Sequence, residues 1–186
     1  MHQIKQTTNN NPLNEAATRQ FGTTTMAKYQ VTYACGHTDT IQLYGKESDR
    51  EKRLAYLSTI DCPDCYYEKR LQAAKAQTAD LPELQGSEKQ INWATQIRAE
   101  VFAALDKYTK QIDDYQNAPE ESKIVTRKMF ADFRETMTAH TDCRFWIDNR
   151  DNFGTGSFFE FGECVLKHLG ISDFNTYAQQ VLAPQK

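Results

Sequence analysis

KYQVTYACGHTDTIQLYGKESDREKRLAYLSTIDCPDC, residues 28–65, is the stretch on which the fold turns. Its opening alternates, with Tyr29, Val31 and Tyr33 on one face; DTIQLY returns with Ile41 and Leu43 in step, and CGHT lies between. That pattern predicts a β-hairpin over 28–44. The turn holds two residues able to ligate a metal, Cys35 and His37, and Gly36 between them suits a tight approach. Gly45 ends the returning strand, and Ser48 is placed to cap a helix carrying Arg53, Leu54, Tyr56 and Leu57.

Cys62-x-x-Cys65, with Pro63 in its loop, sets two thiolates on one ion at a Zn–S distance of about 2.3 Å, and Cys35 with His37 completes a tetrahedral Cys₃His shell. Four protein ligands leave no open position, so the expected cofactor is one structural zinc per chain rather than a water-activating metal. Cys65 stands where the strong helix former YYEKRLQAAKAQ begins, and the free N–H groups and dipole of a helix start favour thiolates. Hairpin, knuckle and ligand-bearing helix start resemble treble-clef zinc modules. Two alternatives stay open: a redox Cys-x-x-Cys pair, and a three-thiolate site completed by His2 or His168.

The five cysteines are an odd number; Cys143 and Cys164 stand apart in amphipathic segments and are expected as small buried apolar residues. Cysteine usage of this kind fits a reducing compartment. No run approaches the roughly 18 consecutive apolar residues of a membrane span, and the N-terminus lacks a basic region followed by an apolar one, so a cytoplasmic protein is expected. Net charge is −3 and uneven: residues 1–80 hold 10 Lys+Arg against 9 Asp+Glu, and residues 81–186 hold 12 against 16. The acidic second half repels a phosphate backbone and suits a basic protein partner.

The chain is read as α+β: a flexible leader over 1–25, rich in Asn, Thr and Gln; a zinc module over 26–80; and an all-helical domain over 87–186. Translation starting at Met26 is the alternative to a leader. Leu81-Pro82 and Gly86 place the boundary between 79 and 86. Ser87 with Gln90 makes a capping box for a long helix whose face is Ile91, Ala94, Ile97, Val101, Leu105, Tyr108, Ile112 and Tyr115. Asn117-Ala118-Pro119 turns the chain into an antiparallel helix carrying Ile124, Met129, Phe130, Phe133 and Met137; shorter helices follow in DCRFWIDNR, SFFEFGECVLKHLG and DFNTYAQQVL. The expected helical core is Trp93, Ile97, Leu105, Phe130, Phe133 and Trp146, with Arg98 pairing Asp148.

Lys69, Arg70 and Lys75 beside Tyr66 and Tyr67 would suit nucleic acid, against a solvated helix face diluted by Glu68. A surface of Lys89, Arg98, Asp148 and Arg150 is a further candidate for interaction. A nuclease-like acidic cluster can be drawn from Glu160, Glu163 and His168 with Asp142, Asp148 and Asp151 in the 142–163 region, but no nucleophile elbow, Walker loop or paired catalytic histidine accompanies it. GTGSFF at 154–159 lacks phosphate-loop spacing and reads as a helix cap by Ser157. No catalytic residue is assigned.

LPELQGSEKQINWATQIR (81–98) and CRFWIDNRDN (143–152), together with CGH and CPDC, resemble an accessory-protein family of plasmids, conjugative elements and phages of Gram-positive bacteria. In that family a zinc module precedes a GSEKQ–WA–IR helix and a WIDNR helix, and the resemblance covers most of 26–152. It implies mobile-element biology and an anti-CRISPR-like role: a non-enzymatic inhibitor of a host RNA-guided nuclease. The implied partner is a protein or nucleoprotein such as a type II CRISPR effector complex, whose basic nucleic-acid channel an acidic helical domain could occupy. The competing expectations are a nucleic-acid-binding adaptor and a nuclease.

Overall fold

The computed structural model describes residues 26–183, so the expected leader, His2 and the choice between Met1 and Met26 lie outside the described residues. The fold is α+β, one two-stranded antiparallel sheet followed by helices, and it divides into two units at Pro63/Asp64. The division falls inside the Cys-x-x-Cys segment rather than at 79–86. Pro82 and Gly86 do end one helix and precede another, but both flanking helices belong to the second unit.

In the first unit, β1 (Met26–Thr32) pairs with β2 (Thr38–Tyr44), with Tyr29 opposite Ile41 and Val31 opposite Asp39. The period-2 pattern holds: Tyr29, Val31 and Tyr33 turn inward while Lys28, Gln30 and Thr32 are exposed. Helix α1 (Glu47–Leu57) starts from Lys46 without a side-chain cap, so Ser48 lies inside the helix instead of capping it. Arg50 is the larger departure. It is buried, its Nε donates to the Tyr29 hydroxyl at 2.9 Å and its Nη1 to the Gly45 carbonyl at 2.6 Å. A charged residue thereby fixes α1 to the hairpin through its hydrogen bonds, the condition under which burying a guanidinium is tolerable.

In the second unit α2 (Pro63–Gln77) buries Leu71 and Ala74, and α3 (Glu88–Asp114) begins with the expected Ser87/Gln90 capping box. Helix α4 (Glu120–Ala139) returns antiparallel to α3, since Arg127 pairs with Asp113 and Arg134 with the earlier Asp106. Then come α5 (Cys143–Asp148), a 3₁₀ turn (Arg150–Asn152), α6 (Phe158–His168) and α7 (Phe174–Leu182); Asp142, Ser157 and Asp173 cap the three α-helices. Gln85 bridges to the 141–143 segment by backbone hydrogen bonds of 2.7 and 3.1 Å. A Cβ at Gly86 would stand 3.0 Å from Cys143 Sγ, a tight contact, so the missing side chain eases the close approach of the two segments.

The core of this unit is aromatic. Phe161 packs against Tyr108, Phe130 and Phe133 with ring centroids 5.2–5.7 Å apart, and Trp146 lies among Phe102, Phe145 and Phe153. Trp146 is fully buried, and its indole N–H donates to the His140 carbonyl at 2.9 Å. Burying side chains of this size contributes roughly 1.5–3 kcal/mol each. Trp93 does not join them: it is 46% exposed, with the Arg150 guanidinium 5.4 Å from its ring centre. Trp93 sits one residue from buried Ala94, about 100° around the helix, where the covering elements end.

Nor does Arg98 pair with Asp148. Arg98 lies on the buried face with Ala94, Val101 and Leu105, donates to the Pro82 carbonyl at 2.7 Å and leaves its Nε unbonded, whereas Asp148 is exposed at the end of α5. Burial pushes the Arg98 pKa down from its ordinary value. Cys143 and Cys164 are buried as expected, and burial raises both thiols, Cys164 to about 11. Among the described residues no helix is long and apolar enough to cross a membrane.

Candidate metal centre

The turn between β1 and β2 closes by local hydrogen bonds: Tyr33 N–H donates to the His37 carbonyl and Gly36 N–H to the Tyr33 carbonyl, each at 2.9 Å. Gly36 has φ +84°, a left-handed conformation that costs a glycine nothing. Its neighbours Cys35 and His37 are thus projected from one tight loop. Ala34 N–H donates to the Ile60 carbonyl at 2.9 Å, which draws the segment before Cys62 onto the same turn. Pro63, at the first helical position where no N–H is needed, starts α2 and leaves Cys65 in its first turn.

These constraints gather Cys35, His37, Cys62 and Cys65, whose ligand atoms all lie within 4.8 Å of one another. His37 Nδ1 stands 3.6 Å from both Cys35 Sγ and Cys62 Sγ, so Nδ1 is the nitrogen turned toward the group. Cys62 N–H points at Cys35 Sγ at 3.3 Å. The backbone amides of Cys62 and then His37 hold the Cys35 thiol down to about 6, a thiol poised to ionise. No disulfide joins any of the described cysteines. Cys62 is buried, Cys35 and Cys65 half-buried and His37 exposed. The set can hold one metal ion, and it is the only such group among the described residues.

The alternative ligand His168 sits in the helical core instead, its Nδ1 2.9 Å from the Cys164 carbonyl and its ring stacked on Phe153. The other sequence candidates are dispersed. Lys69 and Arg70 are exposed on α2, where Arg70 pairs with Glu100 at 2.5 Å and lies 5.8 Å from the Tyr66 ring centre. Lys89 is exposed in the first turn of α3, Arg150 covers Trp93 and pairs with Asp151 at 3.3 Å, and Arg98 is withdrawn from the surface by burial. Asp151, Glu160 and Glu163 border one open depression, yet no three of the acidic residues of 142–163 come within mutual ligating distance. Sequence reading missed the two amides directed at Cys35 and the Ala34–Ile60 clamp; Gly36 was their one local signal, since backbone hydrogen bonds leave no side-chain signature.

Against known proteins, the chain matches no family model, no curated protein and no solved structure. What the residues define is an α+β protein with a Cys/His group able to bind a metal ion.

Proposed function

We propose that Cys35, His37, Cys62 and Cys65 hold one structural zinc ion in a treble-clef-like module, and that the chain is a non-enzymatic binding protein. The observation that carries the metal assignment is the S···N spacing. Zn–S of about 2.3 Å and Zn–N of about 2.0–2.1 Å at the tetrahedral angle put sulfur and nitrogen about 3.6 Å apart, against 3.6 Å for both Cys–His pairs. Three thiolates and an imidazole are a zinc-selecting donor set, and occupying all four positions leaves none for substrate water. Ligands supplied by a hairpin turn and a helix start agree with the treble-clef reading.

The partner reading rests on the resemblance to mobile-element accessory proteins and on the acidic balance of residues 81–186. It makes the chain an anti-CRISPR-like inhibitor that occupies a basic surface of an RNA-guided nuclease. Trp93 with Arg150 adds an exposed pair of residue types that dominate binding energy at interfaces. The test is cleavage by a purified type II effector complex. An inhibitor blocks it at stoichiometric ratios and leaves the guide RNA intact; full cleavage at excess protein would refute the reading.

One observation favours a nucleic-acid adaptor as the second reading: Tyr66 and Tyr67 are exposed on α2 beside Lys69 and Arg70. Under it, labelled DNA or RNA would bind with affinity falling steeply as salt rises. Salt-insensitive or absent binding would remove it.

A further inference from the structure

The five cysteines meet solvent very differently. Cys143 and Cys164 lie inside the helical core, 1% and 5% exposed, each on its own helix. The metal group is open by comparison: Cys62 is buried, but Cys35 and Cys65 are half-buried and His37 is exposed. Oxidation of cysteine follows thiolate character and access. Metal-bound thiolates that solvent reaches meet both conditions, and the two core thiols meet neither.

Within the group, Cys62 and Cys65 are the pair set to join. Only Pro63 and Asp64 separate them, Cys65 lies in the first turn of α2, and their sulfurs already stand within 4.8 Å of each other. Cys35 is 27 residues from Cys62 along the chain, so Cys62–Cys65 closes the smallest ring that the three thiols allow. Such a bond and the metal exclude each other. Two thiolates on one zinc at about 2.3 Å and the tetrahedral angle stand about 3.8 Å apart, whereas a disulfide draws its sulfurs to about 2.05 Å. The bonded sulfurs also lose the negative charge that makes a thiolate a ligand.

We propose that Cys62 and Cys65 are an oxidation site through which hydrogen peroxide releases the zinc and unfolds the first unit; this rests on the zinc assignment above and adds how that site is regulated. The half-buried Cys65 thiolate attacks one peroxide oxygen: an S–O bond forms, the O–O bond breaks, and the departing hydroxide takes a proton to become water. The Cys62 thiolate then attacks the sulfenic sulfur of Cys65. The S–S bond forms, the S–O bond breaks, and a second hydroxide leaves and is protonated to water. Two electrons pass from the sulfurs to the peroxide, two protons are consumed, and the ion is left with Cys35 and His37 alone. A dithiol reductant reverses the step. Because Cys143 and Cys164 are shut inside the aromatic core, the helical unit keeps its fold through the cycle.

The test treats the full-length, zinc-loaded chain with excess hydrogen peroxide while a zinc-sensitive dye follows free metal. All the bound zinc is expected to be released. Peptide mapping after thiol alkylation should then find Cys62 joined to Cys65, with Cys143 and Cys164 still thiols. Hydrogen exchange should show β1, β2 and α1 losing protection while α3, α4 and α6 keep theirs, and dithiothreitol with added zinc should restore the module. Cys65→His keeps four ligands but removes the pair, and is expected to slow release by about tenfold or more. Where Cys65→His fails to hold zinc, Cys35→His serves: it keeps the pair and should release metal as the parent does. Release that ends in sulfinic acid, a disulfide that does not join Cys62 to Cys65, or a Cys35→His variant that resists peroxide would overturn the proposal. No zinc in the untreated chain would bring down the metal assignment and this inference with it. Zinc that is bound and stays bound under peroxide would bring down the inference alone.

Discussion

The two units of this chain reach order by different physics. In the first, the buried hydrophobic residues are Val31, Tyr33, Leu57 and Cys62, and the hydrogen bonds of buried Arg50 attach the helix to the hairpin. In the second, Trp146, Tyr108, Phe130, Phe133, Phe153 and Phe161 are all essentially inaccessible to solvent and pack ring against ring. A segment of under ~40 residues rarely closes on apolar burial alone, so the first unit needs another source of folding free energy. On the zinc assignment proposed above, the metal group to which it contributes Cys35, His37 and Cys62 would be that source, because a site absent from the unfolded chain turns binding energy into folding energy. The second unit has an extended apolar core of its own.

Removing the metal is therefore expected to have the largest effect and to fall on one side of this comparison. Chelation, or Cys62→Ser, forfeits on the order of 10 kcal/mol of coupled binding. Hydrogen exchange should then show β1, β2 and α1 losing protection while α3, α4 and α6 keep theirs. Protection retained in the hairpin would break the contrast.

Next in size, Trp146→Ala should cost about 3–5 kcal/mol in urea unfolding of the helical unit. Trp93→Ala, which loses a cation–π contact with Arg150 and little packing, should cost about 1 kcal/mol or less. Equal effects would show that Trp93 is held more firmly than its exposure implies. Smaller again, Ser87→Ala removes the cap of α3 and should cost about 1 kcal/mol while leaving the metal content unchanged.

The least effect is a matter of pH. The backbone N–H of Thr176, then the Thr176 and Ser172 hydroxyls, hold the Asp173 carboxyl at about 2, below its ordinary 3.8. Its folded value is depressed, so its contribution is fully present above about 3.8 and is lost as pH falls through about 2. Amide exchange in α7, measured relative to α6 over that window, should rise as pH falls, and Asp173→Asn should flatten the response.

Much of this was legible in the sequence because it depends on period and spacing. The hairpin followed from the alternation of Tyr29, Val31 and Tyr33, the capping box from Ser87 and Gln90, and the metal group from Cys-x-His and Cys-x-x-Cys. What escaped depends on which neighbour covers a residue. Trp93 and Ile97 share a four-residue spacing, yet Ile97 is covered and Trp93 stands at the edge of the buried arc. By residue type Arg98 is expected to pair with Asp148 or to join a surface, but its position between Ala94 and Val101 on α3 carries it inside, where it donates to the Pro82 carbonyl instead. Arg50 is hidden for a similar reason: its partners, the Tyr29 hydroxyl and the Gly45 carbonyl, lie in other elements. The division at Pro63 was unreadable from helix breakers, since Leu81-Pro82 and Gly86 interrupt the chain within a unit.

Elemental analysis of the protein purified without added metal, alongside Cys62→Ser and His37→Ala, tests the metal centre most directly. The account predicts one zinc per chain in the parent, retained through dialysis against buffer, none stably held by Cys62→Ser, and a weakened site in His37→Ala. Zinc near zero in the parent, or an undiminished content in Cys62→Ser, would contradict it.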